Sequence, residues 1–403
     1  MHIVFMHERL GRSRGGVEAW IYHATETCLK LGHRVDVLTA ESRAPADAAP
    51  SGARVHAVPS PLHVPGLGPF VDARAISCRI RSLMRGADRV IARSPVMALA
   101  AILAGRKDVV MIHAQPQAES DMVSMARRHR GWHRPLRVLC ASCRQWSIAL
   151  IERRVIRSSC NVFLSHARRR EYEQMYGAVG GQASWYVIPP GVDVERFVPA
   201  GEEWTGRGPL RLFSACRLVE SKNLQCAIRA MGRMLHEGVN VLFHIAGEGP
   251  YRMTLEALCR EVGLTPGREV VFVGEQINIE DFYTKSHVFV LPTLYEGFGS
   301  VFIEAMACGL PCVALSRHAG DYSVASDEII SHGQDGILLK ENSPQALAEA
   351  LMQIHSDPRA WARMSLEARR KAKEAYSWPV AIGKILALGG WPARVGIDPD
   401  AEE

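Results

Sequence analysis

Long apolar runs are absent from this 403-residue sequence, since none reaches the roughly 18 residues that a membrane-spanning helix requires. The segment after Met1 is the strand-like run from His2 to Met6, without the basic start and apolar stretch of a secretory signal peptide. With 47% hydrophobic and 22% charged residues, the composition is also far from that of a disordered chain. These absences predict a cytoplasmic globular protein with a large core.

Paired cysteines and clustered metal ligands are missing as well. The ten cysteines are scattered over predicted helices and strands of a long chain, whereas disulfide frameworks are typical of small secreted domains. Cys140 and Cys143 have C-x-x-C spacing, but a zinc site needs two further ligands at similarly tight spacing, and neither Cys160 nor His166 supplies them. We therefore expect reduced thiols and predict no metal site.

The length of the chain exceeds what one hydrophobic core usually supports and favours two domains. Short β-branched runs alternate with amphipathic stretches, and this βαβ pattern predicts largely parallel sheets. The alternation stops around Pro189-Pro190-Gly191 and again from Gly201 to Pro209, where proline, glycine and charged residues take over as in a linker. The expected fold is therefore α/β, with one doubly wound domain over residues 1–200 and a second over 201–375.

Predicted strands and helices place the candidate motifs. In the first half, the first candidate strand is Ile3 to Met6 and the last is Trp185 to Ile188. In the second half, the first is Leu210 to Ala215 and the last is Cys312 to Leu315. Four helical patterns stand out between them: Val17 to Leu31, Leu224 to Leu235, Tyr251 to Val262 and Val301 to Cys308.

Two glutamates flank a glycine-bearing loop in the second half. Glu296-Gly297-Phe298-Gly299 follows a predicted strand, and the apolar helix after it contains Glu304. A carboxylate in a buried helix is costly unless it meets a charge or hydrogen-bond donors, and a ribose diol offers two such donors. The glycines allow close approach of a ligand, and a helix N-terminus attracts phosphate oxygens. A salt-bridged core glutamate after a glycine turn is the structural alternative.

Positive charge for a diphosphate is available from Arg217 and Lys222, which follow the strand from Leu210 to Ala215. Arginine offers a fork to two phosphate oxygens and lysine a point charge. The carboxyl ends of parallel strands are also where α/β folds bind ligands. Either residue taken alone is equally typical of a solvated basic loop. Gly249 and Gly274 lie in turns after later strands, and as bare glycine turns they indicate little.

Two features of the first half are candidates for a ligand contact. Gly15-Gly16 precedes a predicted helix, a pattern that either cradles phosphate or simply makes a turn. His113 ends the strand that begins at Val109, where a histidine is often an ordinary polar residue with satisfied hydrogen bonds. The residues alone leave both readings open.

The spacing Glu296-x7-Glu304, continued by Ala305-Met306-Ala307-Cys308-Gly309-Leu310-Pro311, resembles the E-x7-E signature of glycosyltransferase family 4. The element Arg217-Leu218-x3-Lys222-Asn223 is similar to another motif of that family. The resemblance extends from Met1 to about Leu388. It implies the GT-B fold, in which two Rossmann-like domains face each other across a cleft. It also implies a helix over 376–390 that crosses back to the first domain, and we expect residues 391–403 to be disordered.

The same resemblance implies a retaining transfer of a hexose from a UDP- or GDP-sugar to a hydroxyl acceptor, such as a cell-envelope glycan, a lipid or a small metabolite. It implies neither a cofactor nor a metal, since Arg217, Lys222 and the helix dipole would stabilise the leaving phosphate, and it implies a front-face attack assisted by that phosphate in place of a carboxylate nucleophile. The catalytic residues that it implies are His113, Glu296, Arg217 and Lys222. The donor-binding residues that it implies are Gly16, Gly249, Gly274, Gly297, Phe298, Gly299 and Glu304.

Two stretches depart from the family pattern. Ile91-Ala92-Arg93-Ser94 stands where the family usually has a histidine-containing stretch, and Pro190 replaces a usual asparagine. The first departure leaves the acceptor side undefined. A GT-B epimerase or phosphorylase and a non-catalytic nucleotide-sugar-binding protein are the alternative functions. A dinucleotide dehydrogenase is disfavoured because no G-x-G-x-x-G opens the first helix.

Residues 127–170 contain twelve arginines and a single acidic residue, Glu152. Trp132 and Trp146 are interleaved with them, as in a stretch that contacts anionic lipid at the inner face of the membrane or a phosphorylated acceptor. Solvated helix faces or an oligomer contact explain the composition equally well. Nucleic acid is not an expected partner, because no recognised binding module accompanies the charge.

Overall fold

The computed structural model describes residues 1–11, 16–42, 49–59, 68–113, 134–177, 184–199, 204–319 and 322–388, with side chains of the helix that begins at Arg134 described from Cys140 onward. Gly15, Trp132 and the tail predicted over 391–403 lie outside these ranges. The chain forms two compact units. Unit 1 comprises Met1–Pro189 with Ile382–Glu403, and unit 2 comprises Pro190–Ala381.

The division between the units falls at Pro189, ahead of the predicted boundary at residue 200. Segment 190–199 is held within unit 2 by backbone groups. The Val192 N–H donates to the Tyr376 carbonyl at 2.7 Å, and the Arg369 guanidinium donates to the carbonyls of Phe197 and Val194 at 2.8 and 2.9 Å. These partners are distant in sequence, so local composition does not predict them.

Unit 1 contains one parallel sheet of seven strands in the order β3-β2-β1-β4-β5-β6-β7. Its strands are β1 His2–His7, β2 Arg34–Thr39, β3 Arg54–Ala57, β4 Arg89–Ala92, β5 Val109–His113, β6 Cys160–Phe163 and β7 Trp185–Val187. Its helices are Gly16–Lys30, Gly68–Ile80, Pro95–Leu103, Arg134–Ser158 and His166–Tyr176. The inner strands β4 and β5 are apolar on both faces and buried, as expected where helices cover a parallel sheet. The strand order reverses direction between β1 and β4.

Unit 2 repeats this architecture with a six-stranded parallel sheet in the order β10-β9-β8-β11-β13-β15 and a two-stranded pair, β12-β14. The strands are β8 Leu210–Ala215, β9 Val241–Ala246, β10 Val270–Gly274, β11 Val288–Val290, β12 Tyr295–Glu296, β13 Cys312–Leu315, β14 Ser323–Val324 and β15 Gly336–Leu339. The α-helices are Leu224–His236, Arg252–Glu261, Glu280–Thr284, Ser300–Ala307, Ser326–Ile329, Pro344–Ser356 and Pro358–Ala375. Here the strand order reverses between β8 and β11.

The last described helix, Trp378–Ala387, contains the point at which the chain leaves unit 2, since Ile382 and the residues after it belong to unit 1. The predicted strands coincide closely with the observed ones, whereas β12, β14 and β15 were not predicted. β12 and β14 have only two residues each, too few for a periodic pattern.

The basic stretch forms much of the helix Arg134–Ser158 and of the helix His166–Tyr176. From Cys140 onward the first helix buries one face, which includes Ile148, Ile151 and Val155. Its other face exposes Trp146 and four arginines: Arg144, Arg153, Arg154 and Arg157. Among the described residues, no helix is long and apolar enough to cross a membrane.

Candidate functional site

In unit 2 the segments that follow β8 and β11 are joined by hydrogen bonds. The Leu294 N–H and the Thr293 hydroxyl both donate to the Ser221 carbonyl, at 2.9 and 3.2 Å. Asn223 lies in the left-handed region at a φ of 55°, and its side-chain amide donates to the Pro292 carbonyl at 2.9 Å. The two segments are therefore fixed against each other at the edge where the strand order reverses, the usual ligand-binding edge of such sheets.

This contact brings Lys222 and Glu296 together. Lys222 Nζ lies 2.6 Å from Glu296 Oε2, although the two residues are 74 positions apart in sequence. Their side chains are 18% and 21% exposed, so the pair is accessible without being fully solvated. An ammonium group has three N–H donors and a carboxylate has several lone pairs, so both groups keep hydrogen-bonding capacity for a ligand.

Arg217 lies on the same stretch after β8 and is exposed. Its side chain forms no ion pair within the part of the chain that the structure describes. The neighbouring backbone is rigidly held, because the Leu218 N–H donates to the Glu248 carbonyl at 2.9 Å and the Tyr251 N–H donates to the Leu218 carbonyl at 3.1 Å. Arg217 is thus a free cation on a fixed support.

The glycines after β9 and β10 provide that support. A Cβ on Gly249 would lie 2.2 Å from the Leu218 oxygen, and one on Gly247 would lie 2.0 Å from the Cys216 oxygen. Gly274, at a φ of 71°, accepts a hydrogen bond from the Gly247 N–H at 2.7 Å. Close backbone packing beneath Arg217 therefore explains Gly249, and the left-handed backbone explains Gly274, while their donor-binding roles remain predictions.

The loop from Glu296 to Gly299 is shaped by a left-handed glycine. Gly299 has a φ of 90°, and a Cβ there would lie 2.7 Å from the Phe302 ring. Phe298 turns its side chain inward, where the ring packs edge-to-face against Tyr376 at 6.1 Å between centroids. The ring of Phe298 is therefore part of the packing of unit 2, and a donor contact of Phe298 remains a prediction. The helix Ser300–Ala307 begins directly after this loop, with its N-terminus beside Gly297 and Gly299.

Glu304 lies in the second turn of that helix and accepts a hydrogen bond from the Tyr283 hydroxyl at 2.9 Å. Burial raises the pKa of Glu304 to about 7, while the Tyr283 hydrogen bond and the charge of Arg196 act in the opposite direction. Arg196 in turn donates to Glu280 at 2.7 Å. The carboxylate predicted to need donors has one in Tyr283, and it titrates near neutrality.

Sequence reasoning missed Tyr283 and Arg196 as neighbours of Glu304. Tyr283 lies in the five-residue helix Glu280–Thr284, which is too short for a recognisable pattern. Arg196 follows the linker signal around Pro189-Pro190-Gly191, where no sequence motif marks it. Asn223 belongs to the motif Arg217-Leu218-x3-Lys222-Asn223, so this asparagine was a sequence signal for the contact between the segments after β8 and β11.

In unit 1, Gly16 is the first residue of the helix Gly16–Lys30 and is exposed. A Cβ at this position would meet no atom within 4 Å. Packing therefore does not require glycine here, in contrast to Gly249. A role for Gly16 in contacting a ligand remains a prediction.

His113 ends β5 and is fully enclosed, with its ring stacked on Phe163 at 4.8 Å between centroids. The Asn161 amide nitrogen donates to the carbonyls of Ile156 and Ser159 at 2.8 and 2.9 Å, so Asn161 Oδ1 is the atom that accepts from His113 Nε2 at 2.8 Å. Nδ1 is then an acceptor without a partner. Burial lowers the pKa of His113 to about 4, so the ring is neutral at pH 7.

His7 and Arg93 follow the same pattern at the ends of β1 and β4. Both are buried, and among the described residues His7 Nδ1, Arg93 Nε and Arg93 Nη1 have no hydrogen-bond partner. Burial, with a further contribution from the charge of Arg93, lowers the pKa of His7 to about 3. The Arg93 guanidinium lies over the ring of Trp20, with 4.8 Å from Cζ to the ring centroid. The departure from the family pattern noted at Arg93 is thus an inward-pointing cation.

Metal ligands do not cluster inside either unit. Within each unit taken by itself, the described residues contain no three histidine, cysteine or acidic side chains close enough to share an ion. All ten cysteines are free thiols, and Cys140 and Cys143 are exposed.

Comparison with known proteins gives two family matches that together cover most of the chain. Residues 14–196 match a family described as Glycosyltransferase Family 4, and residues 205–374 match one described as Glycosyl transferases group 1. The chain is 28% identical over 266 residues to a GDP-mannose-dependent alpha-(1-6)-phosphatidylinositol monomannoside mannosyltransferase of Mycolicibacterium smegmatis, a match over 60% of this chain and 66% of that protein.

A second relative is the GDP-mannose-dependent alpha-(1-6)-phosphatidylinositol dimannoside mannosyltransferase of Mycobacterium tuberculosis. It is 30% identical over 228 residues, which are 55% of each chain. The chain therefore spans only between half and two thirds of these relatives' length.

Solved structures share the fold at low sequence identity. HepE from Anabaena, solved in complex with UDP and glucose, has a TM-score of 0.68 at 17% identity over 96% of this chain and 98% of its own. A glycosyltransferase from Rickettsia africae has a TM-score of 0.71 at 15% identity over 96% of each chain. With its E-x7-E segment and two family matches, the chain belongs to glycosyltransferase family 4 and has the GT-B fold.

Proposed function

We propose that this protein is a retaining hexosyltransferase that moves a sugar from a nucleoside diphosphate to a hydroxyl group of an acceptor, without a metal ion. The observation that carries this proposal is the Lys222–Glu296 pair at the ligand-binding edge of unit 2, with Glu304 on the helix that follows. One cation for phosphate, one carboxylate for sugar hydroxyls and one for a ribose are the three groups that a nucleotide sugar requires.

The donor that we propose first is GDP-mannose, because two relatives are named as GDP-mannose-dependent. A UDP-hexose is the second candidate, since HepE was solved with UDP and glucose. The two donors differ in their base, and Glu304 would hold the ribose that both share. The proposed roles of Glu296, Lys222 and Arg217 are therefore the same for either nucleotide.

In the proposed mechanism, the nucleoside diphosphate leaves as the glycosidic bond breaks, and negative charge grows on its terminal phosphate. Lys222 has N–H donors beyond the one directed at Glu296, and Arg217 is an exposed cation on the same stretch. Preorganised cations stabilise such developing charge and are a major source of catalysis. The N-terminus of the helix Ser300–Ala307 would add further backbone donors.

Retention in many glycosidases depends on a carboxylate nucleophile. Glu296 is paired with Lys222, so its charge is already compensated. We propose that it accepts hydrogen bonds from sugar hydroxyls and does not attack the anomeric carbon. The acceptor hydroxyl would then attack from the face of the leaving phosphate, which takes up the proton. His113 Nδ1 would accept from a donor-sugar hydroxyl, and Gly16 would contact donor phosphates.

For the acceptor, we propose a hydroxyl-bearing glycan, lipid or small metabolite in the cytoplasm. The exposed arginines of the helix Arg134–Ser158 would allow peripheral contact with an anionic lipid surface at the inner face of the membrane. Membrane contact is a separate proposal from the reaction. Vesicle flotation of the wild-type protein would test it independently of transfer.

A donor screen tests the proposed reaction. Melting temperature is measured with GDP-mannose, UDP-glucose and ADP-glucose, because a bound ligand raises apparent stability by mass action. We expect one donor to raise it, and transfer from that donor to proceed in EDTA with the anomeric configuration retained in the product by NMR. A donor that binds without transfer to any acceptor would favour a nucleotide-sugar-binding protein. Nucleotide release without acceptor would favour an epimerase.

A further inference from the structure

The carboxyl edge of the unit 1 sheet contains a cation that the proposed reaction does not use. The strand order reverses between β1 and β4, and at such a reversal the loops diverge and leave a crevice for a ligand. His7 ends β1, and Arg93 directly follows β4, with its N–H bonded to the Met6 carbonyl at 3.0 Å. Arg93 is therefore positioned where sheets of this type bind ligands.

The Arg93 side chain is only 5% exposed, and its Nε and Nη1 atoms have no hydrogen-bond partner in the part of the chain that the structure describes. No ion pair to Arg93 is found in the described ranges. Glu18 is the acid whose charge acts on it most, yet Glu18 does not contact it closely enough for a salt bridge. A buried charge without hydrogen bonds is costly, so stability alone does not explain why Arg93 is there.

The groups around Arg93 compensate its charge only in part, since Glu18 acts on it from a distance and the Glu8 carboxyl hydrogen-bonds to the neighbouring Ser94. His7 and His113 are neutral at pH 7, because burial lowers their pKa values to about 3 and about 4. The ring of Trp20 provides a cation–π contact, which is weaker than an ion pair. His113 Nδ1 is an acceptor and His7 Nδ1 is a further polar atom at this edge, and neither has a hydrogen-bond partner among the described residues.

A helix N-terminus adds to the positive potential at this position. The helix Pro95–Leu103 begins two residues after Arg93, with Ser94 as its N-cap. The Ser94 side chain accepts from the Met97 N–H at 3.5 Å, a long bond. The helix dipole and first-turn N–H groups attract phosphate oxygens, and an arginine fork binds two of them at once.

We propose that Arg93 binds a phosphate ester group carried by the acceptor substrate. This inference rests on the proposed function and names its acceptor class: a hydroxyl compound with a phosphate monoester or diester. The donor phosphate has its own cations, Lys222 and Arg217, in unit 2. A sugar phosphate and a phospholipid headgroup share this chemistry, and the experiment distinguishes them.

The chain provides a matched control. Arg168, in unit 1, is 3% exposed and forms an ion pair with Glu171. Replacing it with methionine would remove this ion pair, so we expect Arg168→Met to lower the melting temperature. Arg93→Met removes a charge that has no partner, so we expect its melting temperature to equal or exceed that of the wild type.

Binding is measured by calorimetry with inorganic phosphate, glucose 6-phosphate and glucose, and by flotation with phosphatidylglycerol vesicles. We expect the wild type to bind a phosphate-bearing probe and not glucose. Arg93→Met should weaken that binding by about 10- to 100-fold, a change typical for the loss of hydrogen bonds to a charged group. Arg93→Lys should weaken it less, because it keeps the charge and loses the fork. Binding of the soluble ester alone indicates a sugar phosphate, and binding of vesicles alone indicates a lipid headgroup.

Binding of GDP-mannose and UDP-glucose to Arg93→Met is measured in parallel and should be unchanged. If the proposed function is wrong, the wild type will not bind either donor. The phosphate measurement does not depend on that result, so the two proposals can fail separately. Three results would overturn the Arg93 proposal: no phosphate probe bound by the wild type, equal phosphate binding by Arg93→Met, or a fall in its melting temperature as large as that of Arg168→Met. The last result would make Arg93 a structural cation over Trp20.

Discussion

The ligand-binding edges of the two units treat charge in opposite ways. In unit 2, Lys222 and Glu296 are partly exposed and paired with each other, Glu304 accepts a hydrogen bond from Tyr283, and Arg217 is exposed. In unit 1 the polar groups at the corresponding edge, Arg93 and His113 among them, are buried and leave atoms without partners. Both edges lie where the strand order of a doubly wound sheet reverses.

This difference separates two kinds of binding site. A paired edge is stable without ligand, and a ligand must share or replace the hydrogen bonds that exist. An unpaired edge is under-satisfied without ligand, so binding supplies hydrogen bonds that the fold lacks. We therefore expect substitutions in unit 2 to lower both stability and activity, and substitutions of Arg93 to lower binding alone.

The largest effect is expected from Lys222→Ala. It removes a cation from the leaving phosphate and leaves Glu296 without its partner, so kcat/KM should fall by about 10²- to 10³-fold, as for the loss of other charge-stabilising groups. Steady-state transfer assays measure the change. Arg233→Ala is the control, because Arg233 lies on a helix of the same unit and its side chain bonds to Gln345 alone among the described residues. Equal activity of both variants would refute a role for the paired edge.

Gly247→Ala tests whether the glycine loops support Arg217 through backbone packing. The substitution adds a Cβ 2.0 Å from the Cys216 oxygen at a φ of 116°, so we expect destabilisation by roughly 1–3 kcal/mol or more. Chemical denaturation measures it. Gly238→Ala is a strain control, because Gly238 also has a positive φ but no atom near its Cβ. A loss no greater than that of Gly238→Ala would contradict the packing explanation.

The pH dependence of donor binding tests Glu304. Its pKa is about 7, and the ionised form accepts from both ribose hydroxyls, so affinity should rise as pH increases through 7 and fall by up to about tenfold per pH unit below it. Calorimetric titrations from pH 5.5 to 8.5 measure this. The inflection should vanish in Glu304→Gln, and its persistence there would assign the titration to another group.

The same raised pKa affects stability in the opposite direction. The folded protein holds the Glu304 proton more tightly than the unfolded chain, so this contribution to stability is present at low pH and is lost as pH rises through 7. Donor affinity and this part of the folding free energy should therefore change in opposite senses. The comparison of wild type with Glu304→Gln at each pH separates the two.

The smallest effect is expected from Gly16→Ala. A Cβ at Gly16 meets nothing within 4 Å, so stability should change by less than about 1 kcal/mol. A rise in donor KM without a change in melting temperature would support the proposed phosphate contact of Gly16. An unchanged KM would remove Gly16 from the donor site and leave the unit 2 assignments intact.

Much of this architecture was predictable because periodic apolar strands and motif spacing are local signals. The strands β1 and β8 and the E-x7-E helix were predicted within a residue or two of their observed bounds. The contacts that give the motifs meaning are long-range. Lys222 and Glu296 form a hydrogen bond although they are 74 positions apart in sequence, and the sequence around one does not indicate the other as its partner.

Side-chain direction was the part that sequence could not supply. The ring of Phe298 packs against Tyr376, a direction that the loop sequence does not encode, and its contact with the donor remains a prediction. Arg93 was noted only as a departure from a family pattern. Its burial and missing partners depend on the packing of four elements, which no linear pattern encodes.

Calorimetric titration of nucleotide sugars into the wild type and Lys222→Ala tests the proposed donor site most directly. GDP-mannose and UDP-glucose are each titrated at pH 8, where Glu304 is largely ionised. We predict that one of the two binds the wild type, and that its affinity falls at least tenfold in Lys222→Ala while Arg233→Ala binds as the wild type does. Equal affinity for wild type and Lys222→Ala, or no binding of either donor, would contradict a nucleotide-sugar site built on Lys222 and Glu296.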